Sequence, residues 1–162
     1  LSGIPPHLME KIGALWDSTI VKDTATDIFK SHSNFINLLK NAKEIKGVSS
    51  IFVPDYPLLF EELIDKKVEV GLVVTKEVLG EIDEEILKKI FADKSSKLKL
   101  YITEENARAN FTVTDYFMAL GLYRIDGTYD YNRDLISYNN EAVGWGSALF
   151  EWYLNRAKKV YL

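Results

Sequence analysis

The stretch between residues 107 and 130 constrains the fold more than any other part of this sequence. From Asn110 to Thr114 the residues alternate, with the apolar Phe111 and Val113 separating three polar residues. Such alternation predicts a β-strand with one buried face and one polar row. The row consists of Asn110, Thr112 and Thr114. A sheet core with a polar stripe beside it is therefore predicted here.

A second strand and a tight turn are predicted to follow directly. Asp115 comes after the first strand, and an apolar run then extends from Met118 to Ile125. It ends at Asp126-Gly127, a dipeptide typical of hairpin turns because it accommodates positive φ angles. The pattern indicates a β-hairpin at the centre of the fold.

Elsewhere the periodicity alternates between helix and strand, which favours an α/β fold with a mixed central sheet and helices on both faces. Strands are predicted at 45–53, 67–75, 98–102 and 134–138, and helices at 34–42, 58–64, 76–92 and 139–159. The 67–75 segment is almost continuously apolar, as expected for a strand covered on both sides. Within the long C-terminal helix, Gly144 and Gly146 are predicted to permit close packing beside Trp145.

Residues 1–17 are predicted to form an amphipathic N-terminal helix, separate from an α/β domain at 18–162. Its apolar face carries Leu8, Met9, Ile12, Leu15 and Trp16. That face needs a partner, which we expect to be either a preceding segment or a second subunit.

Composition excludes several classes of function. The chain has 162 residues, a net charge of -4 and no cysteine. An acidic chain without a basic surface is not expected to bind DNA strongly by itself. The absence of cysteine removes disulfides and thiolate metal sites, and fits a reducing compartment. No apolar run reaches membrane-spanning length, so a cytoplasmic protein without membrane contact is expected.

The sequence predicts neither a metal site nor a cofactor. The only two histidines, His7 and His32, have no second ligand at metal-binding spacing, and they are interpreted as surface or capping residues. Residues 130–141 resemble a calcium loop in spacing, but the sixth position is Leu135 instead of glycine, and a strand is the simpler interpretation.

Several segments in order carry a family resemblance: IPPHLMEKIG, IKGVSSIFVPDYP, VEVGLVVT, FTVTDYFMALGLYRIDGTYDYNRDLIS and WGSALFEWY. They resemble the domain that follows a winged-helix DNA-binding domain in archaeal transcriptional regulators of the methanogenesis-regulator type. The resemblance implies that residues 18–162 sense a small-molecule effector, that 1–17 link and dimerise, and that the protein is a homodimer. DNA would be bound only through a winged-helix domain preceding this chain.

The chain is also distantly similar to a phospholipase D-like half-domain, whose active strand carries His, Lys and Asp. Counting back from Asp115 places Arg108 at the histidine position and Asn110 at the lysine position. Neither can replace the nucleophile, so the similarity implies a pocket without turnover. A guanidinium there favours an anionic effector. Alternatively, Arg108 forms a surface ion pair with Glu104 or Glu105.

Further candidate binding residues follow the predicted strands. Ser49, Ser50 and Tyr56 lie where one strand passes into a helix, and Thr75 ends the next strand; ligand sites of α/β sheets collect at such ends. Together with Thr114 of the polar row, they complete the predicted site, although Ser49 and Ser50 are equally typical of turn residues. Two alternative functions remain open, a phosphodiesterase or nuclease and a purely structural dimerisation domain.

Overall fold

The structure is a computed structural model that describes residues 2–103 and 107–161, in which eight strands form one mixed sheet. In chain order the strands are β1 (Thr19–Lys22), β2 (Glu44–Ser49), β3 (Glu69–Thr75), β4 (Leu98–Thr103), β5 (Asn110–Thr114), β6 (Met118–Tyr123), β7 (Tyr129–Ser137) and β8 (Ala157–Lys159). Their spatial order is β1-β7-β6-β5-β2-β3-β4-β8. Strands β2, β3 and β4 are parallel, and the other neighbouring pairs are antiparallel.

Helices cover both faces of this sheet, which confirms the predicted α/β architecture. They are α1 (Pro6–Met9), α2 (Lys30–Lys40), α3 (Tyr56–Asp65), α4 (Lys76–Glu81), α5 (Glu84–Ala92) and α6 (Asn140–Leu154). One core lies between the sheet and α2 to α5, and the second lies between the sheet and α6. Alternate residues of each central strand therefore enter different cores.

The N-terminal segment differs from the predicted single helix. It forms α1 and a separate 3-10 turn, Ile12–Leu15, and Trp16 remains 75% exposed. Leu8 and Leu15 are buried against the α6 layer, and the Trp145 Nε1 atom donates a hydrogen bond of 2.9 Å to the Leu8 carbonyl oxygen. Since its apolar side is covered within the same chain, this segment no longer requires a second subunit as its partner.

Two predicted helices have different ends in the structure. The 76–92 helix is interrupted because Ile82 is extended and the Asp83 carboxylate accepts a hydrogen bond from the Glu85 amide, which starts α5. The C-terminal helix ends at Leu154, and the following residues pair with β4 as the edge strand β8.

The predicted hairpin is present between β6 and β7. Gly127 has a φ of +88°, and the Thr128 amide donates to the Asp126 carboxylate at 2.9 Å. Asp126 itself is not in the positive-φ region, so only the glycine supplies this conformation. Strand β7 begins at Tyr129, earlier than predicted, and its register against β6 shifts between Gly121 and Tyr123.

Candidate ligand-binding site

A cavity of about 750 Å³ lies over the sheet, on the side covered by α2 to α5. Its walls are mostly apolar and come from helices α2, α3 and α4. The main wall residues are Phe35, Leu39, Leu59, Phe60, Leu63, Val78 and Ile82. Its volume falls within the range of about 300–1,000 Å³ that is typical of small-molecule sites.

The central strands form the floor of this cavity. Thr112 of β5 and Ala119 of β6 lie there, as does Gly121. A Cβ atom on Gly121 would lie 2.6 Å from the ring of Tyr129, so the absence of a side chain allows that ring to cover the strand. The polar row predicted on β5 therefore faces a cavity through Asn110 and Thr112.

A bulge in β7 supplies the polar end of the cavity. Gly121 pairs with Asp134, whereas Tyr123 pairs with Tyr129, so β7 has extra residues between these pairs. This irregularity allows Tyr129, Tyr131 and Asp134 all to line the cavity, although strict alternation would place Asp134 on the opposite face from the two tyrosines. The buried carboxylate of Asp130 stabilises the bulge, since Arg133 Nε contacts its Oδ2 atom at 2.9 Å.

Asp134 is held by the start of helix α2. The Ser31 hydroxyl donates to Asp134 Oδ2 at 2.9 Å, and the Ser31 amide donates to Asp23 Oδ1 at 2.8 Å. Burial raises the pKa of the Asp134 carboxyl, and the carboxylates of Asp23 and Asp130 add to this shift. The Ser31 hydrogen bond and His32 act in the opposite direction.

The charge of this carboxylate acts on two tyrosines that also line the cavity. Burial raises the pKa of both Tyr56 and Tyr129, and the charge of Asp134 raises each further. The Tyr129 hydroxyl accepts a hydrogen bond of 2.8 Å from Asn110 Nδ2, which leaves its own proton available. Within the described residues, the Tyr56 hydroxyl has no hydrogen-bond partner. The polar end therefore has unused hydrogen-bonding capacity.

The mouth of the cavity lies between helices α2 and α3. His32 Nε2 is 2.7 Å from Asp55 Oδ2, and this contact joins the first turn of α2 to the residue preceding α3. Ile28 and Phe29 also line the cavity and are more than half exposed. Apolar side chains exposed beside a cavity are characteristic of ligand or partner contacts.

Three of the residues predicted for the site line this cavity, namely Ser49, Tyr56 and Asn110. Ser49 and Asn110 are paired directly across β2 and β5, at the carboxyl end of β2. The Ser49 hydroxyl donates to the Ile51 carbonyl oxygen at 2.6 Å, as expected for a residue that starts a turn. Binding by these residues remains a prediction.

Three other predicted residues have structural partners and are not among the lining residues. The Ser50 hydroxyl donates to the Ala109 carbonyl oxygen at 2.9 Å and also contacts the Tyr123 hydroxyl. Thr75 caps α4 by accepting from the Val78 amide at 3.3 Å. Thr114 accepts hydrogen bonds from the amides of the turn between β5 and β6.

The structure does not bring Arg108 and Asp115 together. Arg108 is exposed and, together with Asn110, lines a smaller hollow of about 100 Å³ on the α6 side. Asp115 lies at the opposite end of β5, about 16 Å away from Asn110 at the usual rise per residue. Its carboxylate accepts a hydrogen bond of 2.8 Å from the Lys43 amide, and Glu44 also donates to it. The predicted pairing of Arg108 with Glu104 or Glu105 involves residues outside those described.

The Asp115 carboxylate has the electrostatics of a backbone cap. Partial burial acts to raise its pKa, but hydrogen bonds from backbone amides, including that of Lys43, outweigh burial and lower it. The three positions matched to the phospholipase D pattern therefore do not form one polar cluster.

The residues missed by the sequence interpretation are Ser31, His32, Tyr129, Tyr131 and Asp134. The first two lie in the first turn of α2, which begins at Lys30, four residues earlier than the helix predicted at 34–42. The others lie in the bulge of β7. The earlier helix start could have been inferred from the apolar spacing, but the bulge could not.

Residues 2–103 and 107–161 contain neither a metal-binding cluster nor a membrane-spanning helix. No group of three or more His, Asp or Glu side chains in this part of the chain could hold a metal ion. Its helices are all too short or too polar to cross a membrane.

A family model described as the middle domain of methanogenesis regulatory protein FilR1 matches residues 28–156. The methanogenesis regulatory protein FilR1 of Methanothrix harundinacea (strain 6Ac) is 27% identical over 165 residues. That alignment covers 99% of this chain but only 37% of the relative, so the chain spans about 37% of that protein's length.

Solved structures share the fold. TrmBL2, described as an archaeal chromatin protein with a novel mode of DNA binding, superposes with a TM-score of 0.70 at 17% identity, covering 95% of this chain and 60% of TrmBL2. Nuc of Salmonella typhimurium, a phospholipase D family member, superposes with a TM-score of 0.61 at 10% identity, covering 90% of this chain and 100% of Nuc. Phosphatidylserine synthase of Haemophilus influenzae superposes with a TM-score of 0.60 at 10% identity, covering 88% of this chain and 39% of the synthase. The phospholipase D-like architecture is thereby confirmed.

Proposed function

Because this chain belongs to the family of FilR1 middle domains, we propose that it is the effector-binding and dimerisation domain of a transcriptional regulator. In this proposal the effector occupies the cavity between α2, α3 and the sheet. The observation that carries the proposal is the cavity itself, with its apolar walls and unused polar groups converging at one end.

The residues around the cavity support a non-catalytic role. His32 is the only histidine among the described lining residues, and it lies at the rim in contact with Asp55. Arg108 replaces the nucleophile of the phospholipase D pattern, and a guanidinium that stays protonated cannot attack phosphorus. The likeness to Nuc and phosphatidylserine synthase, at 10% identity, is a likeness of fold alone.

DNA binding is proposed for the full-length regulator and not for this domain. TrmBL2 is described as binding DNA, and this chain covers 60% of it. The net charge of -4 gives this domain no field that would attract a polyanion. An effector would regulate DNA binding only if it binds two arrangements of the protein with unequal affinity.

We further propose a homodimer, formed along the outer edge of β1. This strand is the first in the sheet order, so one of its sides has no neighbouring strand among the described residues. Ile20 on β1 and the nearby Trp16 are both more than half exposed. Exposed apolar residues beside an open edge are the features expected of a self-association surface.

A cavity-filling variant tests the effector site. Thr112 lies on the floor and makes no hydrogen bond through its side chain within the described residues, so Thr112→Phe introduces bulk without removing a bond. Thr26→Phe makes the same change at an exposed position outside both β1 and the cavity lining, and is the matched control. Both proteins and the wild type are screened against a metabolite library by thermal shift.

Compounds that stabilise the wild type are expected to stabilise Thr26→Phe but not Thr112→Phe. A ligand at 100 times its Kd adds about 2.7 kcal/mol of stability. For a domain of this size, that corresponds to roughly 5–10 °C in Tm. Equal stabilisation of all three proteins would place the ligand elsewhere, and a library without any hit would favour the purely structural alternative.

A further inference from the structure

The polar end of the cavity combines carboxylates and aromatic rings, and the only basic side chain among the described lining residues is that of His32, which contacts Asp55. We call this part the tyrosine end and define it as Tyr56, Tyr129, Tyr131 and Asp134. The rings of Tyr129 and Tyr131 pack edge to face with centroids 5.0 Å apart, and Tyr131 is 65% exposed, so the tyrosine end reaches the protein surface. No Lys or Arg occurs among the described residues that line the cavity.

The Asp134 carboxylate forms no ion pair with a described residue, and His32, which acts to lower its pKa, contacts Asp55 instead. The Asp134 Oδ2 atom accepts from the neutral Ser31 hydroxyl, and its Oδ1 atom has no hydrogen bond to a described residue. The nearby arginines are engaged elsewhere, since Arg124 and Arg133 both contact Asp130. A half-buried carboxylate beside apolar walls is costly until a donor or cation compensates it.

Aromatic faces and a carboxylate together favour one kind of ligand group. Tyrosine rings attract cations through their electron-rich faces, and a carboxylate attracts them by charge. An anion placed here would instead meet Asp134 and the neighbouring Asp23, both of which line the cavity. The tyrosine end therefore favours a cationic group, whereas the guanidinium of Arg108 favoured an anionic effector in the sequence interpretation.

We infer that the effector is an amphipathic amine whose ammonium group lies at the tyrosine end and whose hydrocarbon body lies along the walls formed by α2 and α3. This inference rests on the proposed function, because it assigns a ligand class to the same cavity. Ile28 and Phe29 at the mouth extend the apolar surface available to the body of the molecule.

Three probes of equal chain length separate the head-group preference from simple hydrophobic binding. They are n-octylamine, 1-octanol and sodium octanoate, titrated into the wild-type chain by calorimetry at neutral pH and constant ionic strength. Octylamine is expected to bind at least ten-fold more tightly than octanol, since a hydrogen bond to a charged group contributes more than the roughly 1.4 kcal/mol that corresponds to ten-fold. Octanoate is expected to bind more weakly than octanol.

Asp134→Asn is the diagnostic variant, because asparagine can still accept the Ser31 hydrogen bond but carries no charge. It is expected to lower octylamine affinity about ten-fold and to leave octanol affinity unchanged. Asp65→Asn removes one charge from an exposed position of α3, outside the cavity lining, and is expected to change neither. That control separates local recognition from the attraction of any acidic protein for an amine.

The outcomes distinguish the two proposals. If octanol binds and octylamine binds no better, or if octanoate binds best, the amine inference is overturned while the effector cavity stands. If none of the three probes binds the folded wild type, the cavity is not a ligand site and both proposals fail. Should Asp134→Asn not fold, the ranking of the three probes on the wild type still decides the question.

Discussion

Two glycines in α6, Gly144 and Gly146, provide a direct test of how closely this helix packs on the sheet. The structure separates residues that the sequence interpretation treated alike. A Cβ atom on Gly146 would lie 2.7 Å from Met118 Cγ and 3.3 Å from Val113 Cβ, and both of those side chains are buried. A Cβ atom on Gly144 would meet nothing within 4 Å. Alanine is therefore expected to stabilise one position and destabilise the other.

The magnitudes follow from two separate effects. Replacing glycine by alanine inside a helix contributes roughly 0.5–1 kcal/mol through backbone entropy, and this gain is common to both positions. Overpacking a buried contact costs about 1–3 kcal/mol, and only Gly146 incurs it. Gly144→Ala should therefore gain up to about 1 kcal/mol, while Gly146→Ala should lie about 1–3 kcal/mol below Gly144→Ala.

Urea denaturation followed by tryptophan fluorescence measures both variants. Trp145 lies between the two glycines and is buried, so its emission reports on this interface. For a domain of this size, 1 kcal/mol corresponds to about 2–4 °C in Tm, which thermal unfolding resolves. If Gly146→Ala is as stable as Gly144→Ala, the close approach of α6 to β5 and β6 is wrong.

Two further expectations concern charge and assembly. Because burial raises the pKa of Asp134 in the folded chain, its stabilising contribution is complete below the ordinary aspartate value of about 3.9 and is lost as pH rises through the raised folded value. Urea denaturation of the wild type and of Asp134→Asn gives the difference in their free energies of unfolding, and this difference should fall above about pH 4. His32, Asp23 and Asp130 titrate in both proteins and so do not account for the change. A difference that stays constant with pH would contradict this expectation. In sedimentation velocity the wild type should be a dimer, and Trp16→Ser with Ile20→Ser a monomer. A wild type that is monomeric throughout a concentration series would refute the β1 interface.

Local patterns were sufficient for most of the fold. The alternation in β5, the apolar run of β3 and the Gly127 turn each depend on residues adjacent in sequence, and the structure contains all three. Failures occurred where a tertiary partner decides the outcome. The segment 157–159 has a helix-compatible sequence, but it pairs with β4 and becomes a strand. Likewise, the apolar side of α1 is covered by α6, which lies far away in sequence.

The site was harder to predict from the sequence than the fold was. Asn110 was located because its strand alternates, and Ser49 because strand ends collect ligands. Asp134 could not be assigned, since a bulge shifts the register of β7 and no simple period describes it. Arg108 was favoured by a count of residues from Asp115, but a count contains no information on which side of the sheet each position faces.

The two sides of the sheet differ in mechanical character. Under α6, Phe111 and Val113 are tightly packed, whereas Thr112 on the same strand borders open space. A close-packed layer resists deformation, while helices that border a void can move with little loss of contact. We therefore expect α6 to act as a stiff support and α2 and α3 to be the compliant elements. An effector would then displace α2, α3 and their connecting loops, and these elements would transmit the change to whatever contacts them.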